Sequence, residues 1–328
     1  MNIPMPRQLS EDTVFPWITS MWEEVHEPEI TLDYGPVQFA YPFGSLVLSE
    51  EIGDFVHARI GMGLKTNGTG FNENNICHSY LAHIGFFKHH GNARRGKAPG
   101  EARGGMNYVP FRNIARSTLQ RVADRRGVKL NAIVEEEAQR LAQVVLNLSE
   151  PIRNNPVAYC FREVIRNVFE HANTGYCSVC AQKWYKGNLE IAVVDKGRGI
   201  LASLSERYEF NSNSDALRAA IRPGITRVCG KPDDEDIWNN SGYGLYALSE
   251  LASRNGQFLL CSGASALLCL GTERHDIDYS FSGTAVKLSM SKPKGVNIRD
   301  ILREIVKEGE KMAPAGVTRK ASKSSKDI

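Results

Sequence analysis

The 328-residue chain has no uninterrupted apolar run of about 18 residues, the length a helix needs to cross a bilayer, so no membrane span is expected. Its opening, MNIPMPRQLSEDTVFPW, lacks a basic start leading into an apolar stretch, so no secretory leader is expected either. The seven cysteines are odd in number and too scattered for a disulfide framework, which points to a reducing, cytoplasmic setting. Charge of one sign is also missing. Forty Lys and Arg against 37 Asp and Glu leave a net +3, which calls for no polyanionic partner.

What is present is ordinary globular composition, 42% apolar and 23% charged, in a chain long enough for two compact units. Pro4, Pro6 and Pro28 argue against a long regular element at the start, so residues 1–29 read as an extension. Residues 30–105 read as an α/β module: a strand, a turn at Gly35-Pro36, a second extended run, a helix through Glu50–Ile60 and a short amphipathic helix in NNICHSYLAHIGFFKHHG. The segment KHHGNARRGKAPGEARGGMN has no apolar period and reads as an exposed loop, with residues 106–127 as a linker. Although basic, the loop lacks the interleaved aromatics of a stacking platform, so nucleic-acid contact is not expected. A second unit spans 128–291, and 292–328 reads as one amphipathic helix followed by a disordered Lys/Ser-rich tail.

Four stretches of the second unit carry the chemistry. In YCFREVIRNVFEHANTG, helical steps put Phe161, Val164, Ile165, Val168, Phe169 and Ala172 on one broad apolar face. Glu163, Asn167 and Glu170 share a narrow arc opposite, with His171 at its edge; the plain alternative is a solvated face with a Glu–Arg pair. The strand AVVDKGRGI ends on Asp195, Gly197 and Gly199, where glycines let the backbone turn sharply and a carboxylate can accept from an amino group. No G-K-[ST] follows, so this is not a P-loop. In NNSGYGLYAL, Gly242 and Gly244 precede a helix whose N-terminus suits phosphate oxygens. In SFSGTAVKLSM, Gly283-Thr284 opens a strand with a small hydroxyl.

In this order, Glu163-x3-Asn167, Asp195-x-Gly197-x-Gly199, Gly242-x-Gly244-Leu245 and Gly283-Thr284 resemble the ATP-binding boxes of the GHKL superfamily, over roughly residues 130–290. That superfamily holds gyrase-type ATPases, heat-shock chaperones, mismatch-repair ATPases, histidine kinases and anti-sigma serine kinases. The resemblance implies a Bergerat-fold domain, α/β in class and an α+β two-layer sandwich, binding ATP and Mg²⁺. It implies Asn167 on Mg²⁺, Glu163 as the catalytic carboxylate, and Asp195 accepting from the adenine amino group. Gly197 and Gly199 then turn beneath the base, Gly242, Gly244 and Leu245 lie under the phosphates, and Thr284 supports Asp195 through water. Residues 200–241 become an ATP lid from which Arg222 or Lys231 could reach the γ-phosphate. More loosely, LDYGPVQFAYPFGSLVLSEEIGDFV with HSYLAHIGFF resembles the STAS-like modules that bind other proteins in bacterial chains, though no motif places their phosphorylatable serine.

The expected function is a bacterial-type, slow ATPase, a hydrolase whose lid couples nucleotide state to a protein partner or to homodimerisation. The alternatives are a partner-switching serine/threonine protein kinase and a non-hydrolysing ATP-sensing adaptor. A histidine kinase is disfavoured, because Pro28 breaks any helix after His26-Glu27 and His275-Asp276 falls between strands. Cys177-x2-Cys180 has no second pair and reads as structural, and His78, His83, His89 and His90 read as surface and cap residues.

Overall fold

The computed structural model describes residues 1–105, 107–149, 155–226, 242–291 and 298–313. Residues 227–241 of the expected lid, Lys231 among them, and most of the expected tail lie outside the described residues. The chain is mixed α/β. Its first part runs β1 (Asn2–Pro4), β2 (Gln8–Leu9), α1 (Glu11–Glu23), β3 (Glu29–Asp33), β4 (Phe39–Ala40), α2 (Pro42–Gly61), β5 (Lys65–Thr69), α3 (Ile76–Ile84) and α4 (Phe86–His89). β1, β3 and β5 pair in parallel in that order, and β2 pairs with β4. Helix α2 begins eight residues before the expected Glu50. Pro42 starts its first turn, a position where proline loses no helical hydrogen bond. Phe43 through Ser49 are all buried, so this stretch has no periodicity to read.

The second part continues β6 (Tyr108–Ala115), α5 (Arg116–Arg126), α6 (Leu130–Leu146), α7 (Pro156–His171), β7 (Tyr176–Lys183), β8 (Leu189–Asp195), α8 (Gly199–Leu204), α9 (Asn213–Ala220), α10 (Gly244–Asn255), β9 (Gly256–Gly263), β10 (Ser265–Leu270), β11 (Glu273–Ile277), β12 (Phe281–Met290) and α11 (Ile298–Met312). Seven strands form one antiparallel sheet in the order β11-β10-β9-β12-β8-β7-β6. The stretch expected as a linker is therefore strand and helix. Pro110 hides β6 from sequence reading, but β6 is an edge strand, where a missing N–H is tolerated, and its register shifts between Val109 and Arg112. His275 lies within β11 rather than between strands.

Both faces of the central strands β7, β8, β9 and β12 are buried. Alternate residues such as Cys177, Val179, Ile191, Val193, Leu260 and Val286 face a core with α6, α7 and α10. Their neighbours Cys180, Ala192, Val194, Leu259, Cys261 and Ala285 share a second core with Phe43, Leu46, Ile52 and Phe55 of α2. Cys177 and Cys180 thus lie on opposite faces of β7. Residues 1–90 are the second covering layer of the sheet, and the expected extension 1–29 contributes Leu9, Val14 and Ile30 to that layer. The histidines differ from expectation too. His78 accepts the Asn72 N–H at 3.0 Å, His83 Nε2 meets the Tyr108 hydroxyl at 2.7 Å, and His89 lies between the Ser49 and Ser178 hydroxyls at 2.9 and 3.1 Å. His90 meets the Tyr34 hydroxyl at 3.1 Å, and burial lowers its pKa to about 3, which keeps it neutral.

Charge fixes the second layer in place. Lys287 of β12 is 5% exposed and pairs closely with Glu11 of α1, while Glu190 of β8 stands 3.8 Å away. Glu190 also accepts the Phe43 N–H at the start of α2, at 2.9 Å. On the same side Lys196 bridges Glu51 at 2.8 Å and Asp54 at 2.7 Å, over the Phe281 ring. One lysine serves two carboxylates, and burial raises Glu190 to about 7 despite Lys287. Its folded pKa lies above the unfolded value, so the native state holds the extra proton between roughly pH 4.5 and 7, and stability falls as pH rises through that window. Glu190→Gln copies the protonated form. Urea unfolding at pH 5 and pH 8 is expected to show the wild type losing on the order of 2 kcal/mol more than the variant over this interval. Parallel losses would remove Glu190 as the titrating group.

Candidate nucleotide site

The cleft on the helical face is built around the end of β8. All seven residues of β8 are buried, which carries Asp195 to the floor with only 4% exposure. Its Oδ1 accepts the Gly197 N–H at 2.8 Å, and Thr284, its register partner on β12, favours the charged form. Burial outweighs both and raises the Asp195 pKa to about 6.

The glycines here are required by the protein's own packing. A Cβ on Gly283 (φ +109°) would lie 2.1 Å from the Asp195 carbonyl oxygen. One on Gly197 would lie 2.2 Å from the Ala172 carbonyl oxygen, which ties the turn after β8 to the end of α7. Gly199 passes beside Ser262, whose buried hydroxyl donates to Gly283 O at 2.6 Å and accepts the Ile200 N–H at 2.9 Å. Ser262 is thus a clamp on the Asp195 turn that sequence reading missed. Its only sequence signal is its place at the end of QFLLCSG, level with Thr284 in the sheet.

Helix α7 forms one wall with Val164, Asn167, Val168, His171 and Ala172. Asn155 caps its start through a hydrogen bond from Val157 N–H at 2.9 Å. Across the cleft, Gly242, Gly244 and Leu245 lead into α10, which has no side-chain cap, so the positive end of that helix faces the opening. Ile200, Ser203, Leu204, Ala220, Ile225 and Thr226 from the α8–α9 segment complete the lining, and the free space is about 80 Å³. Arg222 of this segment is exposed and is not part of the lining.

Of the nine residues singled out from sequence, Asn167, Asp195, Gly199, Gly242, Gly244, Leu245 and Thr284 line this cleft. Gly197 supports it from behind, and Glu163 lies outside the lining, its Oε2 against the backbone of Gly244. On roughly 100° steps Arg166 lies on the far side of Glu163 and Glu170 from Asn167. Glu163 is fully buried, with Arg162 at 2.9 Å and Arg166 at 2.9 Å, and Arg166 also stands 3.3 Å from Glu170. The Glu163–Arg166 contact is within ion-pair distance but off the hydrogen-bond line. Part of the arc opposite the apolar face is therefore not solvated: Glu163 sits in a buried charge cluster with Arg162, Arg166 and Glu170. Glu163 touches α10 directly, since a Cβ on Gly244 would lie 2.1 Å from its Oε2.

The donor set suits a nucleotide: an anionic acceptor on the floor, apolar walls, one amide oxygen at the rim and a helix N-terminus opposite. Among the described residues no group of three or more His, Cys, Asp or Glu side chains could hold a metal, so Mg²⁺ here would depend on Asn167 together with phosphate oxygens. Also among the described residues, no helix is long and apolar enough to cross a membrane. Comparison with protein-family models, with curated proteins and with solved structures gave no match.

Ser262→Ala removes one donor and one acceptor from a buried position. It is expected to cost about 1–3 kcal/mol in chemical denaturation. A loss within a few tenths of a kcal/mol would show that the Asp195 turn holds without its clamp.

Proposed function

We propose that this cleft binds Mg-ATP in a Bergerat-type domain of the GHKL kind, with residues 30–105 as a STAS-like module for a protein partner. The observation that carries this reading is convergence. Asn167, Asp195, Gly199, Gly242, Gly244, Leu245 and Thr284 come from four separated stretches and meet at one cleft. Asp195 would accept from the adenine amino group, Val164, Val168, Ile200 and Leu260 would sandwich the base, and Asn167 would hold Mg²⁺ against phosphates at the α10 N-terminus. A cleft of about 80 Å³ is small beside the ~300 Å³ at the low end of ligand pockets, so ATP would have to widen it on binding.

Slow hydrolysis would use Glu163 as base. That demands release of its carboxylate from Arg162 and Arg166. The buried pairing favours a second reading, the ATP-sensing adaptor, in which Glu163 stays a structural anion beneath α10. Transfer to a partner's serine or threonine would need the same release as hydrolysis.

Equilibrium binding of Mg-ATP is expected to weaken at least about tenfold in Asp195→Asn. Because the ionised carboxylate is the acceptor, wild-type affinity should also fall as pH drops through about 6, and the variant should lack this dependence. Unchanged affinity in Asp195→Asn defeats the assignment of the cleft. Single-turnover release of phosphate then separates the activities. An ATPase loses about 10²-fold or more in Glu163→Gln, a kinase labels a partner protein, and an adaptor binds ATP with neither product.

A further inference from the structure

The basic loop after α4, which the nucleotide reading leaves unused, forms one side of a second cavity. It is an open groove of about 460 Å³ between α3 and the loop, with Phe71, His83, Arg94, Arg95, Gly96 and Lys97 in its lining. We propose that this groove binds a phosphate monoester, at a site separate from the cleft.

The groove is built rather than incidental. The Lys97 N–H donates to the Ala82 carbonyl oxygen at 2.9 Å. Gly96 (φ +69°) passes so close to that oxygen that a Cβ would lie 2.2 Å from it, so the loop is seated on α3 at this point. Asn92 accepts the Arg94 N–H at 3.3 Å. The Arg95 guanidinium lies over the Phe71 ring, 4.4 Å from its centroid, which fixes its plane.

Charge selects the ligand. Arg94, Arg95 and Lys97 have no carboxylate within ion-pair distance among the described residues, and Glu73 is the one acidic residue in the lining. Glu101, further along the loop, accepts the Ala98 N–H at 2.7 Å. Three cations against one anion leave an excess of two positive charges, which matches a phosphate monoester of charge near −2 better than a single carboxylate. Guanidinium forks supply paired donors and Lys97 a point charge. Phe71 stacks on His78 with ring centroids 5.8 Å apart, in addition to carrying Arg95, so it is engaged within the protein rather than free to stack a base. The groove therefore selects the phosphate itself rather than single-stranded nucleic acid.

His83 supplies a readout. Burial and the nearby Lys97 lower its pKa below the usual histidine value, and a bound dianion would reverse the Lys97 effect. The test uses the full chain at constant ionic strength, titrated with inorganic phosphate and with a phosphoserine peptide, by calorimetry and by NMR of His83. Binding is expected, with a rise in the His83 pKa, and Lys97→Gln or Arg94→Gln should each weaken it about tenfold. Asn167→Ala, in the cleft, should leave it unchanged. Tighter binding of the phosphopeptide than of inorganic phosphate would identify a phosphorylated partner as the source, and equal binding a free phosphorylated small molecule; both support the site. No binding, or binding indifferent to both loop substitutions, overturns it.

Discussion

The antiparallel pairing of β8 with β12 is the constraint on which the rest depends. In this register Thr284 faces Asp195, Val286 faces Val193 and Leu288 faces Ile191, while Ala285, Lys287 and Ser289 face Val194, Ala192 and Glu190. Because side chains alternate across a strand, the first set points into the cleft and its helices, and the other set points into the layer formed by residues 1–90. A slip of β12 by one residue would exchange its two faces, placing Lys287 in the cleft and Val286 and Leu288 in the layer with Phe43 and Phe55. The same two strands thus hold the candidate acceptor on one side and the buried Lys287 with its two carboxylates on the other.

This sharing gives a physical route between the two layers. Lys196 immediately follows Asp195 and reaches back to Glu51 and Asp54 of α2, so the turn that shapes the cleft is tied to the opposite layer by an ion bridge. A partner that shifted α2 would act on the Asp195 turn through contacts a few residues long. Glu163 makes a comparable link within the helical face, wedged between Arg166 and the backbone of Gly244.

Much of the cleft was legible in the sequence because its determinants are local. A buried strand ending in Asp195, glycines at sharp turns and an amphipathic α7 each announce themselves within a dozen residues. Glu163 was not legible in the same way. Its spacing from Asn167 puts both on adjoining parts of α7, but Glu163 is buried and paired with Arg162 and with Arg166 at i+3, which its sequence neighbours alone do not reveal. Ser262 was missed because a small hydroxyl at a strand end has no pattern of its own.

The covering layer was the larger omission. The run LEIAVVD is apolar on both faces apart from Glu190 and its terminal Asp195, a mark of a strand covered on two sides, but a composition break near residue 106 favoured a separate module. Pro110 then disguised β6, and the all-round burial of Phe43–Ser49 disguised the start of α2. The measurement that bears most directly on the central claim is the affinity for Mg-ATP against Mg-ITP, whose base carries an oxygen where adenine carries its amino group. The account predicts that ATP binds at least about tenfold tighter, because the ITP oxygen meets the Asp195 carboxylate acceptor to acceptor. Equal affinities, or none for either, would contradict it.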